Sequence, residues 1–193
     1  MARVRAGLTR AGGHLRPAVL AAGIVLVPLA TEVAAAAAPG PLRLTDMPRG
    51  WIRSAPTTKE PVCGYTVTDN ALRLRSGDFQ SVNEVPFVFS TYATFRHGRA
   101  QVEMTRFRRA VAKCPPVPAG EPKYAVAKLP AFGDESIGLI ARVSVDGAPF
   151  AVYSTVTRVG DAITMTTLGD RGTPDAGEAV RLSRRAVQRA RGR

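Results

Sequence analysis

Few side chains of this chain could carry out a reaction. It has two cysteines, Cys63 and Cys114, and two histidines, of which only His97 lies outside the first 38 residues. A nucleophilic triad would need this histidine beside an activated serine or cysteine and an orienting carboxylate. His97 falls at a predicted strand-to-helix turn, so a loop histidine is the simpler interpretation. The sequence has no zinc-ligand spacing, no calcium-binding loop and no glycine-rich phosphate loop, and therefore predicts neither a metal nor a cofactor.

Asp134 and Glu135 are the only adjacent acidic residues in the chain. Paired carboxylates can act as acid and base in hydrolysis, but neighbours on an extended chain point in opposite directions and could hardly share one site. The simpler interpretation is a turn in which Asp134 accepts hydrogen bonds from nearby backbone N–H groups. We therefore predict no enzymatic activity, and a small carboxylate-dependent hydrolase is the less favoured alternative.

The last predicted helix carries arginines on one side. The candidate anion contacts are Arg181, Arg184, Arg185 and Arg189. Anionic lipid or a cell-wall polymer would be the partner. The alternative is the solvated face of a packed helix, since arginine also favours the C-terminal end of a helix dipole. Nucleic acid is not expected, because no aromatic-rich binding motif accompanies the charge.

Residues 1–38 have the three-part layout of a secretory signal peptide. An apolar run, residues 17–30, is followed by small residues up to Ala38, and the basic lead consists of Arg3, Arg5, Arg10 and Arg16. We predict cleavage near Ala38 and secretion. An uncleaved membrane anchor is the alternative. It would need about 20 apolar residues, and extending the run that far would bury Glu32 at a cost of a few kcal/mol.

The predicted mature part, residues 39–193, fits one domain. It has 23 basic and 14 acidic residues, a net charge of +9. An exported basic protein meets anionic lipids, cell-wall polymers or acidic proteins. Genome composition and solubility are an alternative origin of the arginine excess. In an exported chain Cys63 and Cys114 most simply form one disulfide, and two buried free thiols are the alternative.

The chain is organised around a predicted strand, Pro86–Arg96, that leads directly into a predicted helix, Arg99–Lys113. One face of the strand carries Phe87, Phe89, Thr91, Ala93 and Phe95, which is the alternation of a half-buried strand. The helix has an apolar stripe of Ala100, Met104, Phe107, Val111 and Cys114. A disulfide at Cys114 would tie this helix to the sheet. Arg99 and Glu103, four residues apart, are predicted to form an exposed ion pair.

Further strands are predicted on both sides of this unit. They are Leu42–Thr45, Gly64–Thr68, Ala71–Arg75, Tyr124–Leu129, Leu139–Val145, Phe150–Thr157 and Ile163–Leu168. Asp146–Gly147 is a strong hairpin signal, whereas Ser76–Asp78 and Gly169–Gly172 predict a turn and a loop. Thr173 is the expected N-cap of the last helix. The pattern predicts an α+β layered domain, with an antiparallel sheet of about six or seven strands flanked by two main helices.

Several short motifs together resemble a known family. They are Leu44–Trp51 at the start of the domain, Phe132–Ser136 before the last three strands, and Arg158–Asp161 at a turn between them. With a helix ending in cysteine between the first two, the chain is similar to the exported sensor-like domains of actinobacteria. These include the extracellular domain of PknH-type serine/threonine kinases and related secreted proteins and lipoproteins. The resemblance implies an antiparallel sheet flanked by helices, a cleft, and ligand sensing in the cell envelope rather than catalysis.

Overall fold

The alternation in residues 86–96 produces a strand in the interior of the sheet. A computed structural model describes residues 38–55, 61–83, 85–114, 123–145, 147–172 and 174–193. The strands are β1 (Trp51–Arg53), β2 (Arg73–Ser81), β3 (Phe87–Thr94), β4 (Lys123–Ala127), β5 (Glu135–Val145), β6 (Ala148–Val159) and β7 (Ala162–Arg171). The α-helices are α1 (Arg99–Ala112) and α2 (Ala176–Ala190), and Leu44–Asp46 is a short 3-10 helix. Apart from Ala38, the predicted signal peptide lies outside the described residues, and the domain boundary at residue 39 stays a prediction.

The strands form one sheet in the order β1-β2-β3-β7-β6-β5-β4. Every neighbouring pair is antiparallel. The last three strands are consecutive hairpins, and β7 pairs with β3 rather than with β4, which brings the two halves of the chain together at the centre. The predicted α+β fold with a sheet of six or seven strands and two main helices is confirmed.

The two helices pack on opposite faces of the sheet. Residues directly opposite each other on neighbouring strands share a face. The α1 face buries Ala93, Ile137, Leu139, Val156 and Ile163 against Ala100, Met104 and Phe107 of α1. The α2 face buries Phe79, Val88, Tyr153 and Leu168 against Ala179, Leu182 and Ala186 of α2. The strands at the centre are therefore covered on both faces, and β3 is more buried than a half-exposed strand.

The apolar stripe of α1 lies where the sequence predicts it. Ala100, Met104 and Phe107 are buried, and the helix ends at Ala112. Cys114 then forms the predicted disulfide with Cys63, with an S–S distance of 2.10 Å and a Cα–Cα distance of 4.9 Å. Cys63 is not at the start of a strand, however. It has a positive φ of 51° and lies in a tight turn closed by hydrogen bonds between Val62 and Tyr65.

Glu103 is buried, so the prediction of an exposed pair with Arg99 is wrong. The side chain of Glu103 has 0% exposure and lies 2.7 Å from Nε of Arg99. It also accepts hydrogen bonds from the hydroxyl of Tyr65 and, at 3.3 Å, from Nδ2 of Asn70. Tyr65 and Asn70 belong to the segment that follows Cys63. That segment therefore packs on α1 as an irregular loop and does not form the predicted strand.

Two predicted interruptions are in fact inside strands. β2 continues through Ser76–Asp78, because Gly77 has no side chain at a crowded point: a Cβ there would lie 2.8 Å from the carbonyl oxygen of Leu42. β7 likewise continues through Gly169 to Arg171. In both places glycine permits close approach of another group. Sequence reasoning took the same glycines as turn signals.

The ends of the predicted elements also differ. Leu42–Thr45 is not a strand: the backbone N–H of Leu42 donates to Oγ of Ser90 at 3.0 Å, and a 3-10 helix begins at Leu44. The N-cap of α2 is Asp175, whose Oδ1 accepts from the N–H of Gly177 at 2.7 Å. The predicted cap, Thr173, lies outside the described residues, as does Asp146 of the predicted hairpin.

In the part of the chain that the structure describes, neither helix has the length and apolar character needed to cross a membrane.

Candidate functional site

A row of three stacked aromatic rings crosses the α1 face of the sheet. Phe87 and Phe89 lie on β3, and their ring centroids are 4.6 Å apart with an angle of 28° between the planes. Phe87 also stacks on Phe150 of β6, with a centroid distance of 5.7 Å and an angle of 13°. We call these three residues the aromatic row. Offset or tilted stacking of this kind stabilises aromatic pairs beyond the area that they bury.

Gly169 of β7 is what lets the row form. It pairs directly with Phe87 in the sheet. A Cβ at this position would overlap Cζ of Phe87, so the ring of Phe87 occupies the space above the glycine. Because β7 lies between β3 and β6, a flat ring over Gly169 can reach Phe150. Any larger residue would push the ring of Phe87 away from the sheet.

The aromatic row lies outside both hydrophobic cores. Phe87, Phe89 and Phe150 are half-buried and belong to neither core cluster. The α1 helix packs on the opposite end of this face, around Ala93 and Val156. Neither helix therefore covers the end that carries the row. Partly exposed apolar residues that lie side by side mark binding sites more often than isolated ones do.

Two hydroxyl groups lie next to the row on the same face. Thr167 pairs with Phe89 across β3 and β7, and Ser154 pairs with Thr167 across β7 and β6. Their hydroxyl oxygens are 3.0 Å apart, within hydrogen-bond distance. One hydroxyl donates to the other, which leaves a second hydroxyl hydrogen and acceptor positions for another partner. The end of the face thus combines apolar rings with a few polar groups.

The four candidate arginines of α2 have different surroundings. Arg181 forms a two-pronged pair with Glu178, with distances of 2.6 and 2.7 Å. Nε of Arg185 lies 2.7 Å from Oδ1 of Asp46. Arg189 is buried, whereas Arg184 is exposed and makes no ion pair within the described residues. The structure therefore does not present the four side chains as one ridge toward solvent.

Asp134 and Glu135 are both held by one arginine. Nη1 of Arg158 donates to Oδ2 of Asp134 at 3.1 Å, and Nε of Arg158 lies 3.7 Å from Oε2 of Glu135. Glu135 also pairs with Arg108 of α1. Asp134 accepts from the backbone N–H of Gly160 at 2.7 Å, so it caps a distant turn rather than its own. These contacts give both carboxylates a structural role.

His97 is an exposed residue of the turn before α1. Its Nδ1 lies 3.0 Å from Oδ2 of Asp161, and its side chain is 99% exposed. Oδ1 of Asp161 accepts from the backbone N–H of Gly98 at 2.9 Å. The Gly98 N–H and the His97 ring hold the pKa of Asp161 below its usual value. No serine or cysteine nucleophile is bonded to His97 in the described part of the chain, and the pair fixes the start of α1.

A cavity of about 290 Å³ lies at the N-terminal end of α2. Trp51, Asp170, Asp175 and Glu178 are among its lining residues. Its carboxylates already have partners, since Asp170 accepts from the N–H of Arg171, Asp175 caps α2 and Glu178 holds Arg181. Among the described residues no group of three or more histidines, cysteines or acids could hold a metal ion.

Sequence reasoning missed part of this site. It placed Phe87 and Phe89 on one face of β3, but it gave no reason to bring Phe150 beside them. The signal that could have found the row is Gly169, which directly follows the predicted strand Ile163–Leu168 and can equally be read as a strand glycine that another group approaches closely. Asp46 lies in the Leu44–Trp51 motif, and nothing in the sequence indicates that its side chain contacts Arg185 of α2.

Comparison with solved structures finds a likeness to the extracellular domain of PknH from Mycobacterium tuberculosis. The TM-score is 0.45 and the identity 8%, over 61% of this chain and 65% of the length of that domain. LpqN, a protein involved in cell envelope biogenesis of the same organism, is also similar, with a TM-score of 0.33 and 16% identity over 73% of this chain and 76% of that one. No protein-family model matches the chain, and no curated protein sequence matches it. The extracellular domain of PknH is among the proteins that the sequence resemblance names.

Proposed function

We propose that this chain is an exported, non-enzymatic binding module of the cell envelope, and that its ligand lies across the aromatic row. The observation that carries the proposal is the position of Phe87, Phe89 and Phe150: stacked and half-buried, but outside both cores. Part of the apolar area of these three rings stays exposed to solvent in the folded protein. A bound ligand would bury that remaining area.

The lining of the site indicates the class of ligand. Small-molecule sites are mostly apolar, with a few polar groups that fix orientation. The stacked rings supply the apolar floor, and the Ser154–Thr167 hydroxyl pair supplies the polar groups. A neutral ligand with a flat or extended apolar body and one or two hydrogen-bonding groups fits this arrangement.

Export is supported by the disulfide between Cys63 and Cys114. Disulfides form and persist in oxidising compartments outside the cytoplasm and are rare within it. Together with the predicted signal peptide, the disulfide favours an extracytoplasmic location. Binding of α2 to anionic lipid or a cell-wall polymer is a separate proposal. On the outward side of the helix, such binding would depend on Arg184.

The test is a titration with N-phenyl-1-naphthylamine, a neutral probe whose fluorescence rises in apolar surroundings. The wild-type protein should bind it saturably, and Phe89→Ala should weaken binding at least about fivefold, since an aromatic contact contributes about 1 kcal/mol. Gly169→Ala should weaken it as well by displacing the ring of Phe87. Val102→Ser, a change of an exposed apolar residue on α1, is the matched control and should bind like the wild type.

Circular dichroism of each variant verifies that it is folded before its affinity is compared. Equal probe affinity in wild type, Phe89→Ala and Phe150→Ala would exclude the aromatic row as the site. Hydrolysis of ester, glycoside or phosphate substrates that Asp134→Asn or Glu135→Gln abolishes would instead support the carboxylate-dependent enzyme.

A further inference from the structure

A cavity lined by arginines lies at the C-terminal end of α2. Its volume is about 190 Å³, and it is lined by residues 38–43, by β1 and β2, and by α2. The four basic residues in its lining are Arg43, Arg53, Arg75 and Arg189, and none of the described residues that line it is acidic. We call it the arginine cavity. It lies on the α2 face, since Arg53 pairs with Phe79, whereas the aromatic row lies on the α1 face.

Arg189 is the buried member of this group. It has 5% exposure, and its Nε and Nη2 have no hydrogen-bond partner among the described residues. Its nearest acidic partner is Asp46, whose Oδ2 is 3.9 Å from Nε and therefore beyond hydrogen-bond distance. A buried guanidinium whose Nε and Nη2 donate no hydrogen bond is costly, because a carboxylate at 3.9 Å replaces its lost hydration only in part.

Asp46 cannot fully compensate for Arg189, because other groups already use its carboxylate. Its Oδ1 lies 2.7 Å from Nε of Arg185, and its Oδ2 accepts the backbone N–H of Arg43 at 2.8 Å. Burial lowers the pKa of Arg189, and the positive charge of Arg43 lowers it further. An arginine side chain nevertheless stays protonated in proteins. The negative end of the α2 dipole offsets part of its charge.

The walls of the cavity are held close together by packing. A Cβ on Gly77 would lie 2.8 Å from the carbonyl oxygen of Leu42, so residues 40–43 lie directly against β2. The N–H of Leu42 donates to Ser90, and the N–H of Gly40 donates to the carbonyl oxygen of Arg189 at 3.3 Å. The cavity therefore lies where the start of the described chain, an edge of the sheet and the end of α2 meet.

We propose that the arginine cavity binds a phosphate group. Arginine presents its N–H donors in a planar fork that matches phosphate oxygens two at a time. Arg189 supplies free donors from within the protein, and three exposed arginines, Arg43, Arg53 and Arg75, supply charge around it. The volume is below the roughly 300 Å³ of typical small-molecule sites, which suits a single phosphate group rather than a large ligand.

The phosphate could come from two sources that share this chemistry, free inorganic phosphate or the head group of an anionic phospholipid. Isothermal titration calorimetry of the purified protein with inorganic phosphate, against chloride at equal ionic strength, tests the first source. Co-sedimentation with phosphatidylglycerol vesicles, against phosphatidylcholine vesicles, tests the second. Both are repeated with the double variant Arg53→Gln/Arg75→Gln, which changes exposed side chains and leaves the buried Arg189 in place.

The matched control is Arg184→Gln, which removes one exposed arginine of α2 outside the cavity. We expect Arg53→Gln/Arg75→Gln to weaken binding of phosphate at least about tenfold, because each charge-assisted hydrogen bond contributes strongly, and Arg184→Gln to bind like the wild type. Vesicle binding that needs Arg53 and Arg75, without binding of free phosphate, would support the site and assign it to lipid. Binding to neither probe, or equal binding by wild type and the double variant, would overturn the proposal. Vesicle binding that only Arg184→Gln reduces would also overturn it, in favour of the outward side of α2.

Discussion

Nε of Arg185 lies 2.7 Å from Oδ1 of Asp46, a residue 139 positions earlier in the chain. The side chain of Asp46 is 1% exposed and also accepts the backbone N–H of Arg43. This contact fixes the 3-10 helix at residues 44–46 against α2. It explains why arginines spaced four apart on α2 are not equivalent, since an acid from a distant segment engages one of them and leaves its neighbour Arg189 short of partners.

Replacement of Asp46 should destabilise the protein strongly. Asp46 is the one acid near the buried Arg189 as well as the partner of the part-exposed Arg185, so Asp46→Asn leaves the charge of Arg189 uncompensated and should lower the free energy of unfolding by about 3 kcal/mol. Urea denaturation followed by circular dichroism measures the change. Asp69→Asn, a change of an exposed aspartate, is the control and should stay within about 0.5 kcal/mol of wild type. Unfolding of Asp46→Asn at the wild-type urea concentration would contradict a stabilising role for this contact.

The hydrogen bond between Tyr65 and Glu103 should make stability sensitive to high pH. Burial, together with this hydrogen bond, raises the pKa of Tyr65 to about 12 from 10.0. A group with a raised folded-state pKa stabilises the fold below its unfolded pKa, and this stabilisation is lost as the pH rises through the folded value. Wild-type stability should therefore fall between about pH 10 and pH 12.

The variant Tyr65→Phe isolates this effect. It cannot ionise, so the stability difference between wild type and Tyr65→Phe should be constant up to about pH 10 and shrink above it. Denaturation curves at several alkaline pH values give the difference directly. The same loss of stability with pH in both proteins would show that other tyrosines are responsible.

Asp161 should contribute stability that acid removes. Its pKa is lowered, first by the N–H of Gly98 and then by His97, so its ionised form is favoured in the folded state. A lowered pKa stabilises the fold above the unfolded value, and the contribution is lost as the pH falls through the folded value. Asp161→Asn should be less stable than wild type at pH 6, and the two should converge in acid. Parallel stability curves down to low pH would argue against this role.

The disulfide should carry a large share of the stability. Cys63 and Cys114 are 51 positions apart, and a loop of that length is worth about 4 kcal/mol in the chain-entropy model. The double variant Cys63→Ser/Cys114→Ser should unfold at a clearly lower urea concentration. Mass spectrometry of the native wild-type protein should find no thiol that reacts with iodoacetamide. Two alkylated cysteines in the native protein would mean that the bond does not form.

Local patterns in the sequence are enough to predict individual helices and strands of this fold. Period-two alternation in residues 86–96 and the apolar stripe from Ala100 to Cys114 predicted β3 and α1 correctly, because both patterns depend on neighbours within the same element. Gly77 and Gly169 show where local reasoning failed. Glycine in a strand and glycine in a turn look alike in sequence, and only the partner that packs on the glycine separates them.

The candidate sites needed contacts between distant segments. The side chains of Tyr65 and Asn70 donate hydrogen bonds to Glu103 of α1. Arg99 and Glu103 have the spacing of an exposed ion pair on a helix, but these contacts bury Glu103. The arginine cavity gathers residues from the start of the described chain, two strands and the end of α2. Neither arrangement corresponds to a periodic pattern of residues in the sequence. Of the four arginines predicted as anion contacts, only Arg189 lines the cavity.

The most direct test of the proposed function uses the phenylalanine rings themselves. The chain has seven phenylalanines, and a protein labelled with 13C in these rings reports on each of them by NMR. Three form the aromatic row, and four, Phe79, Phe95, Phe107 and Phe132, are buried at 5% exposure or less. On titration with N-phenyl-1-naphthylamine, the signals of Phe87, Phe89 and Phe150 should shift saturably while those of the four buried rings stay in place. Saturable shifts confined to the buried rings, or no shift at the row when the probe is bound, would contradict a ligand site on this face of the sheet.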